Sequence, residues 1–186
     1  PDGEVRRIIG SSEYPRYNLI ARWDVGRERT VHFNAHYDVV PFSGQWKFGD
    51  PFEPGIVAGA VYGRGSGDMK GSIAALLMAV EALQASGVEP AFNIECSFTA
   101  DEETGGELGA GWVVRQGLLN ADFAVVCEGA AGSQVGCGHN GVLWLEVELI
   151  GKAAHASKPD QGVNAFEALA GVVNKLQDYK RKLQEA

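Results

Sequence analysis

The chain has 186 residues, 45% of them hydrophobic and 22% charged, with a formal net charge of −8. That length suits one domain or two small ones with a substantial core, and the acidic balance argues against a nucleic-acid or anionic-membrane surface, because basic residues form no dense block before Lys180 to Lys182. No apolar run approaches the ~20 residues needed to span a bilayer and no signal-peptide pattern opens the chain; Cys96, Cys127 and Cys137 form neither a disulfide framework nor a CxxC pair, and read as reduced thiols of a cytoplasmic protein.

After a short polar lead, Tyr17 to Trp23 and Thr30 to His36 are strand-like runs joined by a polar turn at Gly26, a pattern that predicts a hairpin. A long loop rich in Gly, Pro and aromatics, Phe42 to Pro54, precedes a short strand around Val57 to Tyr62. Ile73, Leu76, Leu77, Val80 and Leu83 then recur at helical spacing, with Gly87 as the stop. Ala91 to Thr99 alternates as a strand, Gly106 to Leu119 predicts a helix and Asp122 to Cys127 a buried strand. This alternation indicates an α/β sandwich with a mixed, largely parallel sheet. Val142 to Ile150 alternates as a further strand, and Val163 to Leu183 carries Phe166, Leu169, Val172, Val173, Leu176, Tyr179 and Leu183 on one helical face. One strand and one helix cannot enclose a core alone, so these segments read as the start of a second domain in a chain cut short.

The chemistry-bearing residues gather around a few stretches. GRGSGDMKG, Gly63 to Gly71, sets one carboxylate, Asp68, among four glycines that allow sharp turning and close approach of a bound group. A phosphate-binding loop is the competing reading, but Met69 stands where that motif needs a glycine before Lys70, and GxGxxG is absent. His36 and Asp38 stand two apart at a strand end, so they share a face, and a carboxylate commonly holds the second nitrogen of a metal-bound imidazole. Asp101, Glu102 and Glu103 follow an apolar strand and repel one another unless a cation or water intervenes; a helix N-terminus is the alternative reading. Glu128 closes the run Val125 to Cys127, with an exposed turn acid as its alternative. His36, Asp68, Glu102, Glu103 and Glu128 are each expected at or just past the C-terminal end of a strand, where open α/β sheets build their sites. Oxygen-rich ligation with one or two imidazoles suits a pair of divalent ions: zinc, with cobalt or manganese as options.

AHYDVVP, GRGSGDMKG, DEETGG and VVCEG, in that order over nearly the whole chain, resemble the co-catalytic zinc aminoacylase and carboxypeptidase superfamily, with acetylornithine deacetylase and succinyl-diaminopimelate desuccinylase as the branch most alike. The resemblance implies a metal-dependent hydrolase that cleaves the amide bond of a small N-acyl amino acid. A dipeptidase or glutamate-type carboxypeptidase of the same superfamily is the alternative, and a non-catalytic metal-binding or interaction module comes from another class. It assigns His36 and Glu128 to one zinc, Glu103 to the other, and Asp68 to both, followed by a cis peptide to Met69. Asp38 would orient His36, and Glu102 would be the general base. GKAAHAS, Gly151 to Ser157, resembles a lid-domain motif whose histidine reaches the partner subunit's site, making His155 the candidate oxyanion stabiliser. The implied organisation is a zinc-exopeptidase-like catalytic domain over 1–139 and the start of a ferredoxin-like lid over 140–186, with homodimerisation through the lid. The family's last histidine ligand and its N-terminal helix have no counterpart in this sequence, so the second metal is expected to lack a ligand and the chain alone to show little activity.

Overall fold

The protein is described here by a computed structural model that covers the backbone at residues 4–9, 15–129, 134–138, 141–142 and 145–185. It divides into two compact units, Pro1–Gly136 and Cys137–Ala186.

The first unit is built on a five-stranded mixed sheet. Its strands are β1 (Glu4–Ile9), β2 (Tyr17–Trp23), β3 (Thr30–His36), β6 (Asn93–Thr99) and β7 (Phe123–Val126), in spatial order β1-β2-β6-β3-β7. A separate two-stranded hairpin, β4 (Gly55–Val57) and β5 (Ala60–Tyr62), turns at Ala58 and Gly59, both with positive φ. The polar lead therefore contains a strand, β1, antiparallel to β2. The expected β2–β3 hairpin does not form: β6 lies between them, antiparallel to β2 and parallel to β3. Asn93 explains why the turn at Gly26 is diverted, because its side-chain oxygen accepts the N–H groups of Val25 and Arg27 at 3.0 Å each, tying that turn to the start of β6.

Strand alternation splits the sheet into two unlike faces. On one, Ala35, Ile94, Cys96 and Phe98 are buried with Met69 and packed by Ile73, Leu76, Val80 and Leu83 of α1 (Gly71–Ser86). Burial of this face is the main apolar drive of the unit. The helix ends where expected, with Gly87 left-handed at φ 70°. The opposite face is polar yet buried. His32 Nδ1 donates to Glu95 Oε1 (2.9 Å) and its Nε2 pairs with Ser97 Oγ (2.9 Å), Asn34 donates to Ser97, and Arg22 pairs with Glu95 at 2.6 Å. The segment around α2 (Ala110–Arg115) covers it: Asn18 donates to the Leu108 carbonyl, and Arg22 to that of Leu118. Buried polar groups satisfied in this way cost little.

Two further expectations need correction. The helix predicted over Gly106 to Leu119 is reduced to Ala110–Arg115, because Gly105, Gly106 and Gly117 all take positive φ, which a right-handed helix cannot contain. β7 is exposed throughout rather than buried; it pairs with β3 on one edge and with no strand on the other among the described residues.

In the second unit, α3 spans Ala165–Glu185 and Lys152 bridges Val163. The strand expected over Val142 to Ile150 is absent at 142 and 145–150, while 143–144 lie outside the described residues. Among the described residues, the segment expected to begin a ferredoxin-like lid shows α3, a 3-10 turn at Pro159–Gln161 and the isolated bridge. No described helix is long and apolar enough to cross a membrane.

Candidate metal centre

β3, β6 and β7 run parallel, so their C-terminal ends reach the same edge of the sheet. His36 ends β3, Glu102 and Glu103 follow β6 and Glu128 follows β7. Asp68 arrives differently from the expectation: it follows the separate β4–β5 hairpin and sits in the irregular turn Ser66–Lys70 ahead of α1, with extended dihedrals (φ −118°, ψ 98°). The peptide between Asp68 and Met69 is cis. Met69 is buried, and its sulfur accepts the His36 N–H at 3.2 Å, which docks the Asp68 turn beneath the end of β3. The sequence marked Met69 only as a break in the phosphate-loop pattern and as the residue after the implied cis peptide, not as the buried anchor of the turn, although it is the one apolar residue of GRGSGDMKG.

The glycines of that stretch have a more local purpose than expected. Gly65 has φ +79°, and a Cβ there would lie 2.5 Å from Val39 Cγ1; at Gly71 it would lie 2.6 Å from the Ser66 carbonyl oxygen. Both admit close approach by the protein's own atoms. Gly67 meets nothing within 4 Å.

The side chains converge on His36, which is 1% exposed. Its Nε2 lies 3.0 Å from Asp68 Oδ1, 3.3 Å from Glu128 Oε2 and 3.7 Å from Glu102 Oε2. His36, Asp68 and Glu103 place one ligand atom each within 4.8 Å of one another. On the other side of the ring, Nδ1 is 3.2 Å from the Asp38 carbonyl oxygen and 3.4 Å from its carboxylate. A carbonyl oxygen only accepts, so Nδ1 carries a hydrogen. In a neutral ring Nε2 then offers a lone pair to three carboxylates that also only accept. Such a contact is repulsive unless a proton or a cation lies between the groups.

The electrostatics agree with that reading. Burial lowers the pKa of His36, but Glu102, Glu128, Asp68 and Asp38 outweigh it and the net shift is upward. Glu102 is raised, first by burial, then by Glu128, Glu103 and Asp38, against a lowering by His36. An imidazole nitrogen with several carboxylate oxygens at one sheet edge is a donor set that fits a divalent cation.

Asp38 does more than face His36. Its two carboxylate oxygens accept the N–H groups of Glu102 (3.2 Å) and Glu103 (3.1 Å), tying the loop after β6 to the loop after β3. Asp101, which the sequence left as one of three adjacent acids, is instead buried and bonded to Arg16, Thr104 and the Leu108 amide. The structure thus brings together His36, Asp38, Asp68, Glu102, Glu103 and Glu128. His155 belongs to the second unit, where it is exposed and its Nδ1 accepts the Ser157 N–H at 3.2 Å.

A second constellation has the outline of a nucleophilic relay: Glu95, His32 and Ser97, with 2.9 Å between successive partners. Ser97 is 1% exposed and already bonded to Asn34, so no substrate carbonyl can approach its hydroxyl. This trio is part of the satisfied inner face of the sheet.

A sheet edge that gathers an imidazole and several carboxylates around one point defines a candidate divalent-metal centre. The chain belongs to Peptidase family M20/M25/M40, whose sequence profile matches residues 32–183. It is 35% identical over 173 residues to succinyl-diaminopimelate desuccinylase 1 of Alteromonas mediterranea, an alignment covering 87% of this chain and 43% of that protein. It is 32% identical over 183 residues to acetylornithine deacetylase of Pasteurella multocida, covering 98% of this chain and 46% of that one. Among solved structures, human carnosine dipeptidase 1 superposes with a TM-score of 0.60 at 26% identity, over 68% of this chain and 29% of that one. The chain thus spans less than half the length of the curated relatives it matches.

Proposed function

We propose that this chain carries the metal centre of a hydrolase that cleaves the amide bond of a small N-acyl amino acid, in the manner of a deacetylase or desuccinylase. The observation that carries the reading is the crowding of His36 Nε2 by the carboxylates of Asp68, Glu128 and Glu102, with Glu103 within ligand reach. His36 and Glu128 would hold one ion and Glu103 a second, with Asp68 shared, and zinc suits the imidazole, with cobalt or manganese as options. Bound there, the metal pair supplies positive charge that polarises an amide carbonyl and acidifies a water. Asp38 holds the His36 ring by its Nδ1 side, leaving Nε2 directed at the carboxylates. Glu102 accepts a proton as the water oxygen adds to the carbonyl carbon, then returns it to the amide nitrogen as the C–N bond breaks. His155, on the second unit, is assigned to stabilise the developing oxyanion in a partner subunit of a homodimer. An exposed apolar stripe on α3, Phe166, Val173, Leu176, Tyr179 and Leu183, supports such pairing. A cytoplasmic setting fits three cysteines without disulfides.

The second reading is a dipeptidase or carboxypeptidase, favoured by the likeness to human carnosine dipeptidase 1. Zinc analysis of the full protein, coupled to a panel of N-acetyl and N-succinyl amino acids and dipeptides, tests both. Preference for the acyl amino acids supports the first, preference for dipeptides the second, and no zinc with no turnover overturns both.

A further inference from the structure

Among the described residues, the side chains of Glu102 and Glu103, the two acids at the heart of the site, form no hydrogen bond to the protein frame, and Glu102 only approaches His36 at 3.7 Å. Their direction is therefore set by the backbone of the turn that bears them, a single 3-10 turn at Glu102–Thr104. We propose that Asp101 is a positioning residue for this pair: its buried carboxylate fixes the turn from below while Asp38 fixes it from the side of His36. The inference rests on the metal-hydrolase reading above.

Asp101 departs from ordinary backbone geometry, with φ 70° and ψ 9°. Outside glycine this left-handed conformation is tolerated best by Asp and Asn, and it persists where the surroundings over-determine it. Here they do. Oδ2 accepts the Leu108 N–H at 3.0 Å, and Oδ1 accepts the Thr104 hydroxyl at 2.8 Å and lies 3.0 Å from Arg16 Nε. The Asp101 carbonyl accepts the N–H groups of Gly106 at 2.6 Å and Thr104 at 3.3 Å. Residues 101 to 108 therefore close into a ring whose centre is one carboxylate at 7% exposure. The outward-facing amides of Glu102 and Glu103 remain free for the Asp38 oxygens, which accept both. Because Asp38 also lies 3.4 Å from His36 Nδ1, an error in the ring reaches the imidazole through two contacts.

Asp101→Ala removes three acceptor contacts and places alanine in the left-handed region. Asp101→Asn keeps a side chain suited to that region and one oxygen for the Leu108 amide, but loses the ionic partner of Arg16. Partners of this kind, acting one contact away from a ligand, typically change metal affinity by ~10–100-fold.

The test is zinc titration of the full protein alongside Asp101→Ala, Asp101→Asn and Arg16→Met, each first shown folded by circular dichroism, together with the pH dependence of kcat/KM. The expected result is zinc binding on the order of 10-fold or more weaker in Asp101→Ala, recovery of most of it in Asp101→Asn, and a displaced acid limb in the alanine variant. If the alanine variant fails to fold, Arg16→Met decides, with zinc binding weakened by more than about twofold as the supporting result. Zinc affinity within about twofold of wild type and an unmoved acid limb, in every variant that folds, overturn the proposal. Wild-type protein that binds no zinc overturns the metal reading itself, and the proposal with it.

Discussion

Replacing Gly65 with alanine separates the demands of the backbone from those of the bound group. The backbone there stands at φ +79°, and the added Cβ would lie 2.5 Å from Val39 Cγ1 and 2.8 Å from Lys70 Nζ. The lysine terminus can swing away. Val39 cannot move freely, because a β-branched side chain has few alternative rotamers and it adjoins Asp38. The left-handed conformation costs alanine roughly 1–2 kcal/mol, and forcing a side chain off its rotamer adds about 0.5–1.5 kcal/mol. The sum is a loss of about 1.5–3.5 kcal/mol by urea unfolding. The Gly65 carbonyl also accepts the Lys70 N–H at 2.9 Å, closing the turn around Asp68, so metal affinity should fall on the order of 10-fold as well. Gly67→Ala is the matched control. Its Cβ meets nothing within 4 Å and its φ is not positive, so stability should hold or rise by about 0.4–1 kcal/mol. Equal behaviour of the two variants in unfolding and in cobalt titration would refute the reasoning.

Glu102→Gln should retain zinc while lowering kcat by about 100-fold or more; near-normal turnover removes Glu102 from the proton-transfer role. In the metal-free protein, burial and neighbouring carboxylates raise Glu102, so its carboxyl should titrate above the ordinary glutamate range by NMR of the apoprotein, and titration at or below that range contradicts this crowding. For Asp101, burial raises the pKa, but the Leu108 amide, the Thr104 hydroxyl and Arg16 outweigh it and hold it below its ordinary value of 3.8. A depressed folded pKa contributes stability that is complete above the unfolded pKa and is lost as pH falls through the folded one. Asp101→Asn should therefore lose stability at neutral pH and flatten the acid decline below about pH 4, as read by unfolding at several pH values. Gly109→Ala should be among the most damaging substitutions, because its Cβ would fall 1.7 Å from the Ala100 carbonyl oxygen at the base of the same loop; soluble, stable protein with full zinc affinity would contradict that.

Much of the site was legible because its members follow parallel strands that end at one edge, a placement read from apolar runs followed by acids. The shared placement of His36, Glu102, Glu103 and Glu128 was read this way. Asp68 was found by its glycines, although the structure gives them a different purpose: Gly65 and Gly71 admit Val39 and the Ser66 carbonyl. What stayed illegible depends on distant partners. The β2–β3 hairpin looked sound locally, and only the pairing of β6 with both strands overrides it. β1 hid in a lead whose arginines mask its alternation. The helix after Gly106 looked longer than it is, because apolar spacing outvoted three glycines that require positive φ. Asp101 shared a line with the exposed Glu102 and the half-buried Glu103, and nothing in DEETGG distinguishes the carboxylate that turns inward from the other two.

The measurement that tests the central claim most directly is zinc content after dialysis, compared between the full protein and its Asp68→Ala variant. Zinc should remain bound to the wild type and be lost from the variant, with the fold retained by circular dichroism, because Asp68 lies within ligand reach of both His36 and Glu103. A wild type free of zinc, or a variant that keeps the wild-type amount, would contradict it.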